Sequence, residues 1–140
     1  MVEQDIDAVA RLEKECFSSP WSKASLRESL SQPYVVFVVA TVEEKVVGYG
    51  GIYIVNDDGE ITNIAVTGSM RGRGVGKMLL EKINEECEKR QVKAIVLEVR
   101  ESNEVAIRLY EKMGYSRIGI RKNFYDKPRE NALIMWKKSK

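Results

Sequence analysis

The sequence contains no histidine and only two cysteines, Cys16 and Cys87, which lie far apart in the chain. Histidine is the usual base of nucleophilic triads and a frequent zinc ligand, so its absence excludes histidine-based triads and most zinc sites. Both cysteines fall within predicted helices, where we interpret them as small packing residues rather than nucleophiles. We therefore predict no metal site.

Long apolar runs and a strong excess of one charge are also absent. No run approaches the roughly 20 residues that a membrane-spanning helix needs, and residues 1–5 lack the basic-then-apolar order of a signal peptide. The 23 basic and 21 acidic residues give a net charge of +2, which argues against a broad nucleic-acid-binding face. We expect a cytoplasmic protein without membrane or nucleic-acid partners, and we interpret the basic residues 137–140 as a solvated end.

The residues that are present suit one folded domain spanning 1–140, since 44% are hydrophobic and 31% are charged. Apolar spacing, caps and turn signals predict helices at 4–17, 22–31, 75–90 and 103–113, and strands at 34–41, 45–55, 60–66, 93–99, 115–122 and 131–137. The strands before the third helix form an antiparallel meander, and later strands alternate with helices. This order predicts an α+β fold with mixed strand directions.

A glycine-rich turn, Arg71-Gly72-Arg73-Gly74-Val75-Gly76, separates the strand 60–66 from the helix 75–90. Glycines let the backbone approach a ligand closely. The free N–H groups and positive dipole end of a helix start attract anions. The basic side chains nearby are those of Arg71, Arg73 and Lys77. The turn therefore indicates a phosphate site, although a solvated strand-to-helix loop remains the alternative.

The spacing of this turn differs from two common nucleotide-binding motifs. Its glycines do not follow G-x-G-x-x-G, and the preceding meander is not the start of a βαβ unit. A P-loop is excluded because Met78, rather than Ser or Thr, follows Gly76-Lys77.

Glu98 is the one charged residue within the apolar run 94–99 of a predicted strand. Partial burial would raise its pKa toward the range of a useful general base. The alternative is a carboxylate at a sheet edge that pairs with Arg100 or a lysine.

Two further residues allow both a structural and a chemical interpretation. Tyr110 lies on the apolar face of a helix, where it would be core by default; in a cleft, its hydroxyl would protonate a leaving thiolate. Asn103 would by default cap the same helix, and its amide would otherwise hold the polar chain of a ligand.

Taken together, these features resemble the Gcn5-related N-acetyltransferase (GNAT) family. Arg71-x-x-Gly74-x-Gly76 matches the acetyl-CoA motif of that family, (Gln/Arg)-x-x-Gly-x-(Gly/Ala). The resemblance continues through the segments 63–66, 97–100 and 103–115. Within the family, the segments 17–22, 97–100, 121–125 and 129–135 resemble the RimI type, and archaeal and eukaryotic N-terminal acetyltransferases share several of them.

The resemblance implies a GNAT fold, a central twisted and mostly antiparallel sheet of six to seven strands flanked by four helices. It implies direct acetyl transfer from acetyl-CoA to a protein N-terminal α-amine, expected to be the alanine of a small-subunit ribosomal protein. Glu98 would take a proton from the incoming ammonium, and Tyr110 would protonate the departing CoA thiolate. Such a transfer needs a neutral amine but no protein nucleophile.

The resemblance also implies binding residues. The backbone of Ile64, Ala65 and Val66 would pair with the pantetheine arm, and Asn103 would contact the coenzyme further along. The expected residues around the pyrophosphate are Arg71, Gly72, Arg73, Gly74, Val75, Gly76 and Lys77. The aromatic residues Trp21, Tyr34, Phe124 and Tyr125 would line the substrate entrance, although each is equally interpretable as core.

Alternatives remain at this stage. The family usually has a strand before its first helix, whereas this sequence begins almost at the helix, so we hypothesise that a strand is missing, naturally or through the choice of start codon. Acetylation of a small amine, such as a polyamine or an aminoglycoside, is one functional alternative, although no acidic cluster favours a polycation. A module that binds acetyl-CoA without catalysis is the other.

Overall fold

The computed structural model describes residues 1–138 of the chain. The helices are α1 (Ile6–Cys16), α2 (Lys23–Leu30), α3 (Val75–Lys89) and α4 (Glu104–Lys112). The strands are β1 (Val35–Val42), β2 (Lys45–Val55), β3 (Asp58–Val66), β4 (Ala94–Arg100), β5 (Ser116–Asp126) and β6 (Arg129–Lys138). Every predicted helix and strand is found, with ends shifted by a few residues. The last two residues of the predicted basic end, 139 and 140, lie outside the described residues.

The six strands form one sheet in the order β1-β2-β3-β4-β6-β5. The pairs β1–β2, β2–β3, β4–β6 and β5–β6 are antiparallel, whereas β3–β4 is parallel. Parallel neighbours need a long connection, and α3 supplies it. The mixed, mostly antiparallel sheet with four helices confirms the predicted fold class.

Two buried clusters hold the helices to the sheet. Buried side chains of α3 and α4, among them Leu80 and Ile83, pack together with residues of β2, β3, β4 and β6. The other cluster joins α1 and α2 to β1 and β2. A methyl group at Gly50 would lie 3.0 Å from the Cδ1 of Ile83, so this glycine allows α3 to approach the sheet. Cys87 is fully buried in α3, as a packing residue would be.

A bulge in β3 opens the sheet at its centre. In the β2–β3 ladder, Gly51 pairs with Asn63 but Ile52 pairs with Ile61, so Thr62 is an extra residue. The parallel pairing of β3 with β4 ends at Ile61, opposite Leu97. A bulge bends its strand and increases the local twist. Beyond the bulge, β3 stays paired with β2 and β4 stays paired with β6. The two central strands therefore diverge and leave a cleft between them.

The strand β5 extends beyond its predicted end at residue 122. The pairing of β5 with β6 is irregular between Arg121 and Tyr125, where Asn123 has a φ of 54° and donates its N–H to the Asn131 side chain at 2.9 Å. Because this irregularity takes up residues 122–124 opposite a single residue of β6, pairing resumes at Tyr125 and continues to Asp126. Within residues 1–138, no helix has the length and apolar character needed to cross a membrane.

Candidate active site

The cleft between β3 and β4 has a volume of about 700 Å³. Its walls come from the end of α1 and the α1–α2 loop, from β3 and β4 around their divergence, from α4, and from the end of β5 with the β5–β6 turn. The predicted site residues on these walls are Trp21, Ile64, Glu98, Asn103, Tyr110, Phe124 and Tyr125. Segments distant in sequence therefore meet at the point where the two central strands separate.

The glycine-rich turn leads into α3 with two residues in the left-handed region. Gly72 and Gly74 have φ values of 77° and 82°, and a methyl group at either position would have no protein atom within 4 Å. The first hydrogen bond of α3 joins the Met78 N–H to the Gly74 carbonyl at 3.1 Å. The N–H groups of residues 75–77 consequently have no acceptor inside the helix. Open space beside free N–H groups fits a phosphate.

Arg71 at the start of the glycine-rich turn makes contacts within the protein. Its Nε donates to the Val66 carbonyl at 3.1 Å, and its Nη2 lies 3.4 Å from the Cys16 Sγ. The guanidinium therefore braces the turn against β3 and α1. The predicted contact of Arg71 with the coenzyme stays a prediction.

The exposed backbone edge of β3 carries the predicted pantetheine contacts. The Thr67 N–H donates to the Val47 carbonyl at 2.8 Å, toward β2. Since the hydrogen-bonding direction alternates along a strand, the backbone groups of Ala65 also face β2 and those of Ile64 and Val66 face the cleft. The backbone of Ile64 and the Val66 N–H can therefore pair with an extended ligand. The Val66 carbonyl already accepts from Arg71, and the backbone groups of Ala65 are already used by the sheet.

Asn103 caps α4, since its Oδ1 accepts the Ala106 N–H at 3.2 Å. This contact confirms the helix-cap interpretation. The side chain also lies on the cleft wall, and its contact with a coenzyme stays a prediction.

Glu98 lies on the cleft wall with its side chain 17% exposed. Its Oε1 is 3.4 Å from the Arg121 Nε, and its Oε2 is buried without a hydrogen-bond partner among residues 1–138. Burial raises the pKa of the carboxyl above its ordinary value, the Arg121 guanidinium lowers it, and the Glu60 carboxylate raises it. The alternative pairing with Arg100 or a lysine is wrong, because the partner is Arg121.

Tyr110 both packs in the core and lines the cleft, the two positions that the sequence left open. Its ring packs edge-on against Tyr115, with centroids 5.8 Å apart, and the residue also lines the cleft. Burial raises the pKa of the phenol. The hydroxyl therefore keeps its proton at physiological pH and can act as a donor.

Arg100 is a site residue that the sequence interpretation missed. Its Nη1 donates to the Pro128 carbonyl at 2.9 Å and to the Glu130 Oε1 at 3.2 Å, and its Nη2 lies 3.4 Å from the Ser18 Oγ. The guanidinium carbon is 4.3 Å from the centroid of the Tyr125 ring. Arg100 thus joins the α1–α2 loop to the β5–β6 turn. The available signal was its spacing of two from Glu98, which puts both side chains on one face of β4.

The predicted entrance aromatics separate into two groups. Trp21, Phe124 and Tyr125 line the cleft. Tyr34 does not line this cleft, and its role as an entrance residue stays a prediction. It precedes the edge strand β1, two positions from β3 in the sheet, and lines a neighbouring pocket of about 360 Å³ with Tyr53 and with Trp21, which also lines the cleft.

Comparison with known proteins agrees with this geometry. The profile of the family described as Acetyltransferase (GNAT) family matches residues 6–115. A Bacillus subtilis (strain 168) protein, named as a candidate ribosomal protein bS18-alanine N-acetyltransferase, is 43% identical over 95% of this chain and 89% of its own. The ribosomal protein bS18-alanine N-acetyltransferase of Escherichia coli (strain K12) is 35% identical over 94% of this chain and 89% of its own.

A solved structure is similar along nearly the whole chain. The crystal structure of the ribosomal-protein-S18-alanine N-acetyltransferase from Escherichia coli has a TM-score of 0.91 to this chain at 32% identity. The match covers 99% of this chain and 90% of that one.

Proposed function

Since this chain belongs to the acetyltransferase (GNAT) family and is an acyltransferase, we propose that it acetylates the N-terminal α-amine of a protein. The expected acceptor is the terminal alanine of ribosomal protein bS18, because the relatives described above are named for that reaction. A ribosomal substrate would place the reaction in the cytoplasm. We also propose that the whole chain acts as one catalytic domain.

The observation that carries this proposal is the meeting of an open strand edge and two proton-handling side chains in one cleft. Ile64 and Val66 would hold the extended pantetheine arm of acetyl-CoA, and the turn 72–77 would hold its pyrophosphate. Glu98 and Tyr110 lie on walls of the same cleft. A thioester held along β3 would therefore lie within the space that both side chains line.

Glu98 is the proposed general base. An α-amine is partly an ammonium ion near neutral pH, and only the neutral nitrogen can attack a carbonyl carbon. Glu98, directly or through a water, takes one proton from the ammonium and leaves a neutral amine, whose nitrogen then forms the bond to the carbonyl carbon. Burial raises the pKa of this carboxyl, which makes it a stronger base than an exposed glutamate.

Tyr110 is the proposed general acid. Breaking the carbon–sulfur bond leaves negative charge on sulfur, and the phenol hydroxyl would donate its proton there. A tyrosine phenol is protonated at neutral pH even at its ordinary pKa, and burial raises the pKa of Tyr110 further, so the proton is on the hydroxyl when that charge develops. The transfer then balances, because the ammonium nitrogen loses two protons: one goes to Glu98, and the other replaces the proton that Tyr110 delivers to sulfur.

The test is release of CoA from acetyl-CoA with three acceptors. These are a peptide with a free N-terminal alanine, the same peptide with a blocked N-terminus and an internal lysine, and spermidine. The proposal expects turnover with the free alanine peptide alone. Turnover with spermidine alone would make the protein a small-amine acetyltransferase, and tight acetyl-CoA binding without turnover would make it a binding module.

A further inference from the structure

Glu13 is a buried acidic residue that the proposed reaction does not use. It lies on α1 with 1% of its surface exposed. Its Oε1 accepts the Trp21 N–H at 2.8 Å, and its Oε2 accepts the Tyr49 hydroxyl and the Asn63 Nδ2 at 3.0 Å. All three contacts are donors, which is what an ionised carboxylate accepts.

These contacts join four parts of the molecule at the cleft. Glu13 belongs to α1, Trp21 to the α1–α2 loop, Tyr49 to β2, and Asn63 to β3 directly after the bulge at Thr62. Glu13, Trp21 and Asn63 all line the cleft. The carboxylate therefore ties the loop to the point where the sheet opens.

The loop depends on such side-chain contacts for its position. Residues 18–21 make no backbone-to-backbone hydrogen bond with the rest of the described chain. The polar contacts that hold them are the bond from the Trp21 N–H to Glu13 and the contact of the Ser18 Oγ with Arg100. The Trp21 ring packs against Phe37 and Tyr53, with centroid distances of 6.3 Å in each case.

Glu15, two residues further along α1, holds a different segment. Its Oε2 accepts the Gly68 N–H at 2.6 Å, and its Oε1 accepts the Thr67 hydroxyl at 3.0 Å. Gly68 begins the short helical turn before the glycine-rich turn. The same helix thus contacts two segments. Glu13 binds the α1–α2 loop, and Glu15 binds the residues that lead into the glycine-rich turn.

We propose that Glu13 is a positioning residue for the acceptor, which fixes the α1–α2 loop so that Trp21 forms one wall of the amine entrance. This inference rests on the proposed function, since it assigns the loop side of the cleft to the peptide. Its consequence is that Glu13 affects peptide binding without affecting acetyl-CoA binding. A general role in folding would affect both.

The substitution Glu13→Gln tests this role at nearly constant volume. A glutamine has only one oxygen to accept hydrogen bonds, so it cannot satisfy the three donors. We expect the peptide KM to rise about tenfold and the acetyl-CoA Kd to stay within about twofold. In the matched control Glu15→Gln, we expect the peptide KM to stay unchanged, with any weakening confined to acetyl-CoA.

A second measurement needs no substrate. The chain has two tryptophans, so Trp136→Phe leaves Trp21 as the sole tryptophan. In that background, we expect Glu13→Gln to lower the fluorescence anisotropy of Trp21 and to increase its quenching by acrylamide, and Glu15→Gln to change neither. This result would support the loop contact even if the alanine peptide were not a substrate.

Two results would overturn the proposal. One is an unchanged peptide KM together with unchanged Trp21 fluorescence in Glu13→Gln. The other is a parallel rise of the peptide KM and the acetyl-CoA Kd with a lower Tm, which would show a general structural role. If Glu13→Gln does not fold, Tyr49→Phe, which removes one of the donors, decides by the same two readouts, with an expected KM rise of about threefold.

Discussion

The proposed site has a donor end, which would bind acetyl-CoA, and an acceptor end, which would bind the amine, and the two are built from different parts of the chain. At the donor end, the β3 edge and the turn 72–77 offer backbone groups, positioned by glycines with positive φ. At the acceptor end, contacts between side chains hold segments together that are distant in sequence. One example is the contact of Arg100 with Ser18, which are 82 residues apart. The donor end should therefore be sensitive to backbone geometry, and the acceptor end to the identity of single side chains.

The largest effect is expected for Gly74→Val, which changes the backbone conformation of the donor end. A β-branched residue is a strong outlier at a φ of 82°, so the turn must change shape. We expect acetyl-CoA binding to fall below detection in calorimetry. The matched control is Gly114→Val, since Gly114 also has a positive φ but follows α4 away from the turn. Equal loss of acetyl-CoA binding in both variants would contradict a specific role of the turn.

Glu98→Gln tests a single side chain between the two ends. We expect kcat to fall by about a hundredfold or more, with the acetyl-CoA Kd unchanged. The Tm should not fall. Because the pKa of Glu98 is raised in the folded state, its ionised form costs folding free energy above that pKa, and a neutral amide removes this cost. A kcat near that of the wild type would exclude Glu98 as the base.

Tyr110→Phe removes the proposed acid while keeping the ring. We expect kcat to fall by about tenfold to a hundredfold, with little change in Tm, because the packing of the ring on Tyr115 remains. The control is Tyr115→Phe, whose hydroxyl is buried and without a hydrogen-bond partner in the described part of the chain. If both variants slowed the reaction equally, ring packing rather than proton donation would explain the loss.

The smallest effect is expected for Arg121→Gln, as a shift in pH dependence. The Arg121 guanidinium lowers the pKa of Glu98, which burial raises. Removing it should raise that pKa further, so the decline of kcat/KM on acidification begins at a higher pH. Arg117→Gln is the control, since Arg117 is equally exposed on β5 but pairs with Glu111 at 3.5 Å. Identical pH profiles for wild type and Arg121→Gln would show that the ion pair does not tune Glu98.

The backbone of the proposed donor end could be predicted from sequence because its signals are local. Strand, glycines and helix start follow one another within residues 60–90, and the glycine positions alone indicate an unusual backbone. Glu98 and Tyr110 were also identifiable, since an acid in an apolar strand and a tyrosine on an apolar helix face contrast with their neighbours. The cleft that they line could not be predicted, because it depends on the bulge at Thr62, and no local pattern of the sequence indicates that bulge.

The acceptor end was harder to predict because its contacts join distant segments. Arg100 resembles an ordinary charged strand end, and Glu13 resembles a solvated residue of an amphipathic helix. Only the packing of α1 against the sheet shows that Glu13 is buried. The position of Tyr34 beside a neighbouring pocket was also not predictable, because the order of strands in the sheet, which puts β1 at the edge, is not encoded in residue spacing.

The most direct test of the account uses one peptide that carries both a free N-terminal alanine and an internal lysine. After a single turnover with acetyl-CoA, fragmentation in a mass spectrometer locates the added acetyl group. We predict that the group lies on the α-amine of alanine, and that Glu98→Gln forms little of this product in the same time. Acetylation of the lysine side chain, or equal product from wild type and variant, would contradict the account.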